Sequence, residues 1–250
     1  MGSVGAKEVP VLLTPDGIRT DGRRVDELRP IRIEAGALKH ADGSAYVEWG
    51  ANKVMAAVYG PREVHPRHLQ QNTKAVIQCK YNMAAFSVDE RKRPGLDRRS
   101  QEISKVIAEA LESVVFVEEF PRTSIDVYIE VLQANAGTRC AGLTAASVAL
   151  ADAGIPMVDL LPAVAVGKAG GALVLDLNKA EDNFGEADLP MAIVPQSGRL
   201  VLLQMEGHVT QEELARALDM GVQGTRQVYE KMQAALRDRY ASAPTPEVAA

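Results

Sequence analysis

The segment from Ile125 to Gly154 constrains the fold more than any other part of the sequence. Apolar and polar residues alternate with a period of two from Ile125 to Val131, which predicts a β-strand. Small and apolar residues then fill the run from Cys140 to Gly154, and this composition predicts a buried helix. The sequence therefore predicts a strand that leads through a short turn into a helix of the core.

The turn between these two elements, Gly137-Thr138-Arg139, has the chemistry of an anion site. Gly137 lets the backbone approach a ligand closely, and Thr138 can cap the helix, whose first N–H groups point outward. Arg139 adds a guanidinium fork that suits phosphate. The same three residues also fit an ordinary capped helix with an exposed arginine, so the turn alone leaves both interpretations open.

A second segment, from Asp176 to Asp188, is rich in carboxylates and lies between two apolar runs. These runs, at 172–175 and 191–194, are predicted strands, so the carboxylates are expected at strand ends and in the connecting loop. Carboxylates grouped in this way can bind a hard cation or transfer a proton. A solvated acidic loop is the alternative interpretation.

The order of predicted elements indicates an α+β fold with two similar halves. Strand runs followed by helix runs occur in both halves, and the second half ends in a long helix that a capping box opens at Thr210. The predicted strands lie at 31–34, 45–49, 53–59, 75–82, 125–131, 163–166, 172–175, 191–194 and 200–203, and the predicted helices at 103–115, 140–154 and 210–240. We expect a first half at 18–155, a second half at 156–240, and flexible ends at 1–17 and 241–250.

Composition narrows the class of protein. The chain has 250 residues and a net charge of −5, which argues against nucleic-acid binding over the whole surface but allows a local basic channel. No apolar run has membrane-spanning length and no signal peptide is evident, so we expect no membrane association and a cytoplasmic location. Cys79 and Cys140 lack metal-ligand spacing and are predicted to be buried thiols.

Two basic segments are candidates for contact with a single strand of nucleic acid. Arg62 and Arg67 lie in a loop with prolines, and Arg98 and Arg99 precede the helix predicted at 103–115. Cations at a helix N-terminus are electrostatically unfavourable, which suggests a compensating anionic ligand such as successive phosphates. Interleaved acidic residues make a mixed solvated surface the alternative. Aromatic residues form only 4% of the chain, so base stacking is not expected to be the main interaction with nucleic acid.

Taken together, the motifs resemble the ribonuclease PH family over roughly residues 18–235. Three ordered motifs carry this resemblance: the opening segment Ile18–Arg29, the Gly137-Thr138-Arg139 turn, and the acidic set Glu181, Asp182 and Asp188. Within the family, the segments 60–68, 86–92 and 150–156 are most similar to catalytic ring subunits of the archaeal exosome. Bacterial ribonuclease PH is the nearer alternative.

The resemblance implies a ribonuclease PH fold and a phosphorolytic reaction. Inorganic phosphate, the co-substrate, would attack the last phosphodiester at an RNA 3′ end and release a nucleoside diphosphate, and diphosphates would extend the 3′ end in reverse. In this interpretation Gly137, Thr138 and Arg139 bind the attacking phosphate. Asp182 is the general acid or a ligand of Mg²⁺, and Asp188 binds the same ion or tunes Asp182.

The resemblance also implies RNA contacts and partners. Arg98 and Arg99 would contact the RNA near the active site, and Arg67 would line the entry constriction. Arg62, in the same basic segment as Arg67, is a further candidate RNA contact because of its charge. Family members act in six-membered rings. The archaeal type alternates with a similar inactive subunit and carries RNA-binding cap proteins, so we expect little activity from the isolated chain.

Four other functions remain open from the sequence. A non-catalytic RNA-binding ring subunit is disfavoured because the phosphate and acidic motifs are complete. A homohexameric ribonuclease PH that trims tRNA would share every motif. A hydrolytic nuclease using Asp182, Glu186 and Asp188 around two metals would leave Gly137-Thr138-Arg139 without a role. A small-molecule kinase is remote because no P-loop pattern is present.

Overall fold

The computed structural model describes residues 10–95 and 97–241. These residues form ten strands: β1 (Ile31–Ala35), β2 (Gly43–Trp49), β3 (Asn52–Glu63), β4 (Val76–Met83), β5 (Thr123–Gln133), β6 (Ala163–Ala169), β7 (Ala172–Leu175), β8 (Ala187–Val194), β9 (Arg199–Leu203) and β10 (Glu206–Gly207). They also form four α-helices: α1 (Arg98–Glu112), α2 (Thr138–Asp152), α3 (Lys179–Phe184) and α4 (Gln211–Ala241). Every predicted strand and helix is therefore present.

The strands form two five-stranded sheets, one in each half of the chain. The first has the order β1-β2-β3-β5-β4, antiparallel except for the parallel pair β4–β5. In the second, β7, β6 and β8 are antiparallel neighbours, and both β9 and β10 pair with the far edge of β8. The period-two pattern of β5 places Ile125, Val127, Ile129 and Val131 in the core.

Helix α2 joins the two halves because it packs against both sheets. It contacts β2, β3 and β5 of the first sheet and β6 and β8 of the second, and most of its residues are buried. Small side chains make this close approach possible. At Gly43 in β2, for example, an added Cβ would lie 2.2 Å from the carbonyl oxygen of Ala149 and 2.3 Å from the backbone nitrogen of Ala153. The burial that the sequence predicts for this helix is confirmed.

The remaining helices cover the sheets. Helix α1 packs on β4 with Ile103, Ile107 and Leu111 buried, and α4 contacts β1, β6, β7 and β8. The predicted capping box opens α4: the Thr210 backbone N–H donates to Glu213 Oε2 at 2.8 Å, and the Glu213 N–H donates to Thr210 Oγ1 at 3.2 Å. Within the described ranges, no helix has both the length and the apolar character that crossing a membrane demands.

Several sequence-based expectations differ from the structure. Arg62 lies in β3 rather than in a loop, Arg98 and Arg99 form the first turn of α1 rather than preceding that helix, and β10 was not predicted. The acidic segment contains a short helix, α3, where only strand ends and a loop were expected. Residues 1–9 and 242–250 of the expected flexible ends lie outside the described residues, but residues 10–17 hold buried Leu12, and Leu13 forms a β-bridge with Arg19. Cys140 is buried as expected, whereas Cys79 is only partly buried.

Candidate active site

The Gly137-Thr138-Arg139 turn begins α2, but Thr138 does not cap the helix as the sequence suggested. Gly137 is the N-cap residue, with a left-handed φ of 68°, and Thr138 is the first helical residue. The Thr138 hydroxyl lies inside the fold, where it accepts a hydrogen bond from the Tyr81 hydroxyl at 2.8 Å. No side chain in the described part of the chain therefore caps the first helical N–H groups, which leaves them available to an anion.

Asn52 holds this turn in its unusual backbone conformation. Ala136, just before Gly137, also has a left-handed φ of 58°, which is strained for a residue with a Cβ. Buried Asn52 donates from Nδ2 to the Ala136 carbonyl at 2.6 Å and accepts from the Asn135 N–H at 2.5 Å. These two bonds fix the turn before any ligand binds.

A buried ion pair between Arg29 and Asp176 ties the same turn to the second half of the chain. Arg29 donates to both carboxylate oxygens of Asp176, from Nε at 2.9 Å and from Nη2 at 2.6 Å, and its Nη1 donates to the Asn135 carbonyl at 2.5 Å. Asp176 also accepts from the Trp49 indole N–H at 2.9 Å. One carboxylate thus anchors the arginine that braces the anion-binding turn.

A second buried pair positions α3. Arg19 donates to Glu181 from Nε at 2.8 Å and from Nη2 at 2.5 Å, and both side chains are fully buried. Glu181 also completes a capping box with Asn178 at the start of α3. Glu181 is therefore committed to structure, so the acidic pair consists of Asp182 and Asp188 rather than of Glu181 and its neighbours.

Asp182 and Asp188 lie close enough to influence each other's ionisation. Burial raises the pKa of Asp188 to about 7, and the charge of Asp182 adds to this rise, whereas Arg139 and Arg99 oppose it. Burial also raises the pKa of Asp182, against the effect of Arg99, although this side chain is open to solvent at the rim of the site. Asp188 is therefore a carboxyl group that can hold a proton near neutral pH.

The arginines of the site come from two helices. Arg139 in the first turn of α2 is mostly buried, and its Nη1 donates to Gln204. Arg98 and Arg99 are exposed in the first turn of α1, where Asp97 caps the helix by accepting from the Ser100 N–H at 2.7 Å. The structure thus brings Arg99 and Arg139 to the same two carboxylates, Asp182 and Asp188.

Arg62 and Arg67 lie elsewhere. Arg62 is opposite Ser124 at the beginning of β5, whereas Gly137 follows the end of that strand, about 30 Å away at the usual rise of a strand. Arg62 forms an ion pair with Asp126 and lies 5.3 Å from the centre of the Tyr59 ring, and exposed Arg67 pairs with Glu63 at 2.8 Å. Neither side chain therefore belongs to the group of residues around Asp182 and Asp188.

Two carboxylates and the substrate would suffice to hold Mg²⁺. Among the described residues, no group of three or more His, Cys, Asp or Glu side chains is arranged to bind a metal alone. Mg²⁺ usually binds one or two carboxylates together with substrate phosphates and water. The Oδ1 atom of Asp188 is buried and has no hydrogen-bond partner within residues 10–95 and 97–241, which is a fitting arrangement for a cation ligand. Glu186 does not join the pair, because its carboxylate accepts from the Gly171 N–H at 3.1 Å.

The sequence reasoning missed several residues that shape this site: Arg19, Arg29, Asn52, Tyr81, Glu102, Asp176, Gln204 and Glu206. Glu206 lies opposite Asp188 in the β10–β8 pair and adds negative charge. The opening segment Ile18–Arg29 supported the family resemblance without a structural role being assigned to its arginines. The structure gives that segment a role, because its arginines Arg19 and Arg29 are both buried.

Family comparisons define the class of protein to which this site belongs. The family model described as "3' exoribonuclease family, domain 1" matches residues 27–156, and the model for domain 2 matches residues 159–224. The chain therefore belongs to the RNase PH family of 3′ exoribonucleases. This membership confirms the predicted fold and the predicted activity, a 3′-to-5′ exoribonuclease that uses phosphate.

Individual relatives within this family are components of the exosome complex. The exosome complex component Rrp41 of Thermococcus onnurineus is 59% identical over 237 residues, with 95% of each chain covered. The Rrp41 of Thermoplasma volcanium is 60% identical over 229 residues, with 92% of each chain covered.

Two solved structures show the same fold at lower identity. Rice Rrp46 matches with a TM-score of 0.79 and 24% identity, over 88% of this chain and 100% of that one. A chain of the Archaeoglobus fulgidus exosome with RNA bound to the active site matches with a TM-score of 0.75 and 23% identity, over 86% and 93% of the two chains.

Removing the charge of Asp176 should destabilise the fold, because buried Arg29 would lose its partner. We expect Asp176→Asn to lower the free energy of unfolding by about 3 kcal/mol. Asp21→Asn is the matched control: it also removes a carboxylate that pairs with an arginine, Arg23 at 2.8 Å, but at an exposed site, so a loss below about 1 kcal/mol is expected. Urea denaturation measures both, and equal losses would contradict the role of the buried pair.

Asp188→Asn should stabilise the protein in a pH-dependent way. The folded-state pKa of Asp188 is about 7 against an ordinary value of 3.8, so folding takes up a proton and the wild type loses stability as the pH rises between these values. The variant's advantage should be near zero at pH 4, grow towards pH 7 and then level off at about 2 kcal/mol, which allows for partial solvent screening.

Urea denaturation at pH 4.5 and pH 8 checks this expectation. Asp219→Asn, an exposed position on α4, is the control and should show no such trend. An Asp188→Asn advantage that does not depend on pH would show that Asp188 ionises normally.

Proposed function

We propose that this chain is the catalytic subunit of an exosome ring that shortens single-stranded RNA from its 3′ end by phosphorolysis. One observation carries the assignment of the reaction centre. An uncapped helix start and Arg139, which suit phosphate, converge with Arg99 on the carboxyl pair Asp182 and Asp188. Because phosphate rather than water attacks, the reaction is not a hydrolysis.

The attacking phosphate binds at the start of α2. Backbone N–H groups after Gly137 and the guanidinium of Arg139 neutralise its charge, while buried Thr138 supports the turn through Tyr81. Arg98 and Arg99 hold the last phosphodiester of the RNA. Two anionic groups are thereby brought together, and positioning with charge neutralisation supplies most of the catalysis.

The reaction exchanges one P–O bond for another. A phosphate oxygen forms a bond to the phosphorus of the terminal nucleotide, and the bond from that phosphorus to the 3′ oxygen of the preceding nucleotide breaks. Asp182, at the open rim of the site, donates a proton to the departing 3′ oxygen. Burial and the neighbouring charge of Asp182 raise the pKa of Asp188 to about 7, so the pair carries a proton near neutral pH. The products are a nucleoside diphosphate and a shortened RNA, and the reverse reaction extends the RNA.

Mg²⁺ fits the same place. In this alternative role Asp182 is not the proton donor: Asp182 and Asp188 would bind the ion as carboxylates, Asp188 through its Oδ1, which has no hydrogen-bond partner among the described residues. When bound, the ion would stabilise charge on the phosphate oxygens. This chain's contribution is to hold the two carboxylates in fixed positions through α3 and β8.

The ring is mixed, and the chain alternates in it with a similar inactive subunit beneath RNA-binding cap subunits. Relatives at 59% and 60% identity are exosome complex components, which supports this assembly. Exposed apolar side chains, Phe86 at 75% and Met205 at 55%, are suited to burial by neighbouring subunits.

Arg67 and Arg62, remote from the reaction centre, would contact RNA as it enters. We assign a cytoplasmic location, which is supported by the unpaired state of Cys79 and Cys140.

Product analysis tests this function. The chain, alone and assembled with a candidate ring partner, is incubated with a short single-stranded RNA and Mg²⁺, with and without phosphate. We expect phosphate-dependent release of nucleoside diphosphates, mainly from the assembled ring. Asp182→Ala should reduce the rate at least about 100-fold, and Arg139→Glu about 1000-fold.

Matched controls come from the exposed surface of α4, where Asp219→Ala and Arg216→Glu make the same chemical changes and should keep full activity. Monophosphates released without phosphate would mean hydrolysis and would overturn the mechanism. An assembled ring without activity would identify the chain as a structural subunit, and full activity from a ring of this chain alone would favour the homohexameric form.

A further inference from the structure

Among the described residues, the guanidinium of Arg139 forms a hydrogen bond on one side only. Its Nη1 donates to the Oε1 atom of Gln204, while its Nη2 is 3.8 Å from the nearest oxygen of Glu102. Its Nε is buried and has no hydrogen-bond partner among the described residues. Nε and Nη2 form the edge of an arginine that donates two parallel hydrogen bonds to an oxyanion. That edge is therefore the one left for a ligand.

Gln204 is itself held in a fixed orientation. Its Nε2 donates to Oε1 of Glu102 at 3.0 Å, so its carbonyl oxygen is the atom that faces Arg139. Its backbone N–H donates to the Pro190 carbonyl at 3.1 Å, which ties it to β8, the strand of Asp188. If the amide turned over, its NH2 group would meet the guanidinium and the anchoring bond would be lost.

We infer that Gln204 is a positioning residue that presents the Nε–Nη2 edge of Arg139 to inorganic phosphate, and that Glu102 keeps Gln204 in the orientation this requires. The inference rests on the proposed binding of phosphate at Arg139. Neither Gln204 nor Glu102 touches the reacting atoms. Their effect is to restrict a flexible side chain before phosphate arrives, which lowers the entropy lost on binding.

The alternative partners of Arg139 explain why an anchor is needed. Asp188 and Glu102 both lie near the guanidinium, and a full ion pair with either one would occupy the edge that phosphate needs. An amide oxygen can hold Nη1 without adding a negative charge that repels phosphate. Glu102 also lies one turn after Arg98 and Arg99 in α1, so the same contact joins the helix that holds the RNA to the phosphate site.

Steady-state kinetics of the assembled ring with inorganic phosphate as the varied substrate tests the inference. Gln204→Met keeps the length of the side chain but removes the anchoring oxygen. We expect KM for phosphate to rise about tenfold, kcat to change less than about twofold, and RNA affinity measured without phosphate to stay constant. Gln233→Met, which also removes an amide that accepts from an arginine (Arg237), should change none of these values.

Variants of Glu102 provide a second, independent comparison. Glu102→Gln still offers an oxygen to the Gln204 amide, so KM for phosphate should not rise. Glu102→Leu releases Gln204 and should raise KM for phosphate severalfold. This pair decides the question even if Gln204→Met fails to fold.

Several outcomes would overturn the inference. KM for phosphate could stay unchanged in both Gln204→Met and Glu102→Leu, kcat alone could fall, or RNA affinity could weaken as much as phosphate affinity. Arg139→Lys in the same series distinguishes an error about Gln204 from an error in the proposed function. If Arg139→Lys raises KM for phosphate and Gln204→Met does not, only the role of Gln204 is wrong. If the wild type shows no dependence on phosphate, the proposed function itself fails.

Discussion

The buried ion pair between Arg29 and Asp176 is the interaction on which the active site depends. Asp176 follows β7 in the second half of the chain, and Arg29 precedes β1 in the first. Because Arg29 also holds the Asn135 carbonyl, the pair fixes the anion-binding turn relative to the acidic segment. A buried pair of this kind adds little net stability compared with apolar packing, so its value lies in the single arrangement that it specifies.

The second constraint is electrostatic and follows from the first. Burial raises the pKa of both Asp182 and Asp188, the charge of Asp182 adds to the rise at Asp188, and the arginines around them only partly offset this. In the proposed function the arginines would bind phosphates, and the carboxylates would bind a proton or a cation. Without its substrates the site therefore has charges and hydrogen-bonding groups that lack partners, and the substrates would supply these partners. Such a local cost in stability is common at functional sites.

Local patterns in the sequence were sufficient to predict nine of the ten described strands, α1, α2 and α4, because hydrophobic periodicity and capping residues act over a few neighbouring positions. The phosphate turn and the acidic pair were also recognisable as motifs. The roles of Arg29, Glu181 and Gln204 were not, since their partners lie 147, 162 and 65 residues away along the chain. Thr138 was expected to cap α2 because its type suits that position, yet the hydroxyl satisfies Tyr81 instead. Tertiary contacts thus decided what local chemistry left open.

Tracing the oxygen atoms of the attacking group tests the central claim, that phosphate is the nucleophile, most directly. The assembled ring would degrade RNA in ordinary water with phosphate labelled by oxygen-18, and mass spectrometry would locate the label. Phosphorolysis predicts that the label from phosphate appears in the terminal phosphoryl group of the released nucleoside diphosphates. Unlabelled monophosphates, with oxygen taken from water, would contradict it.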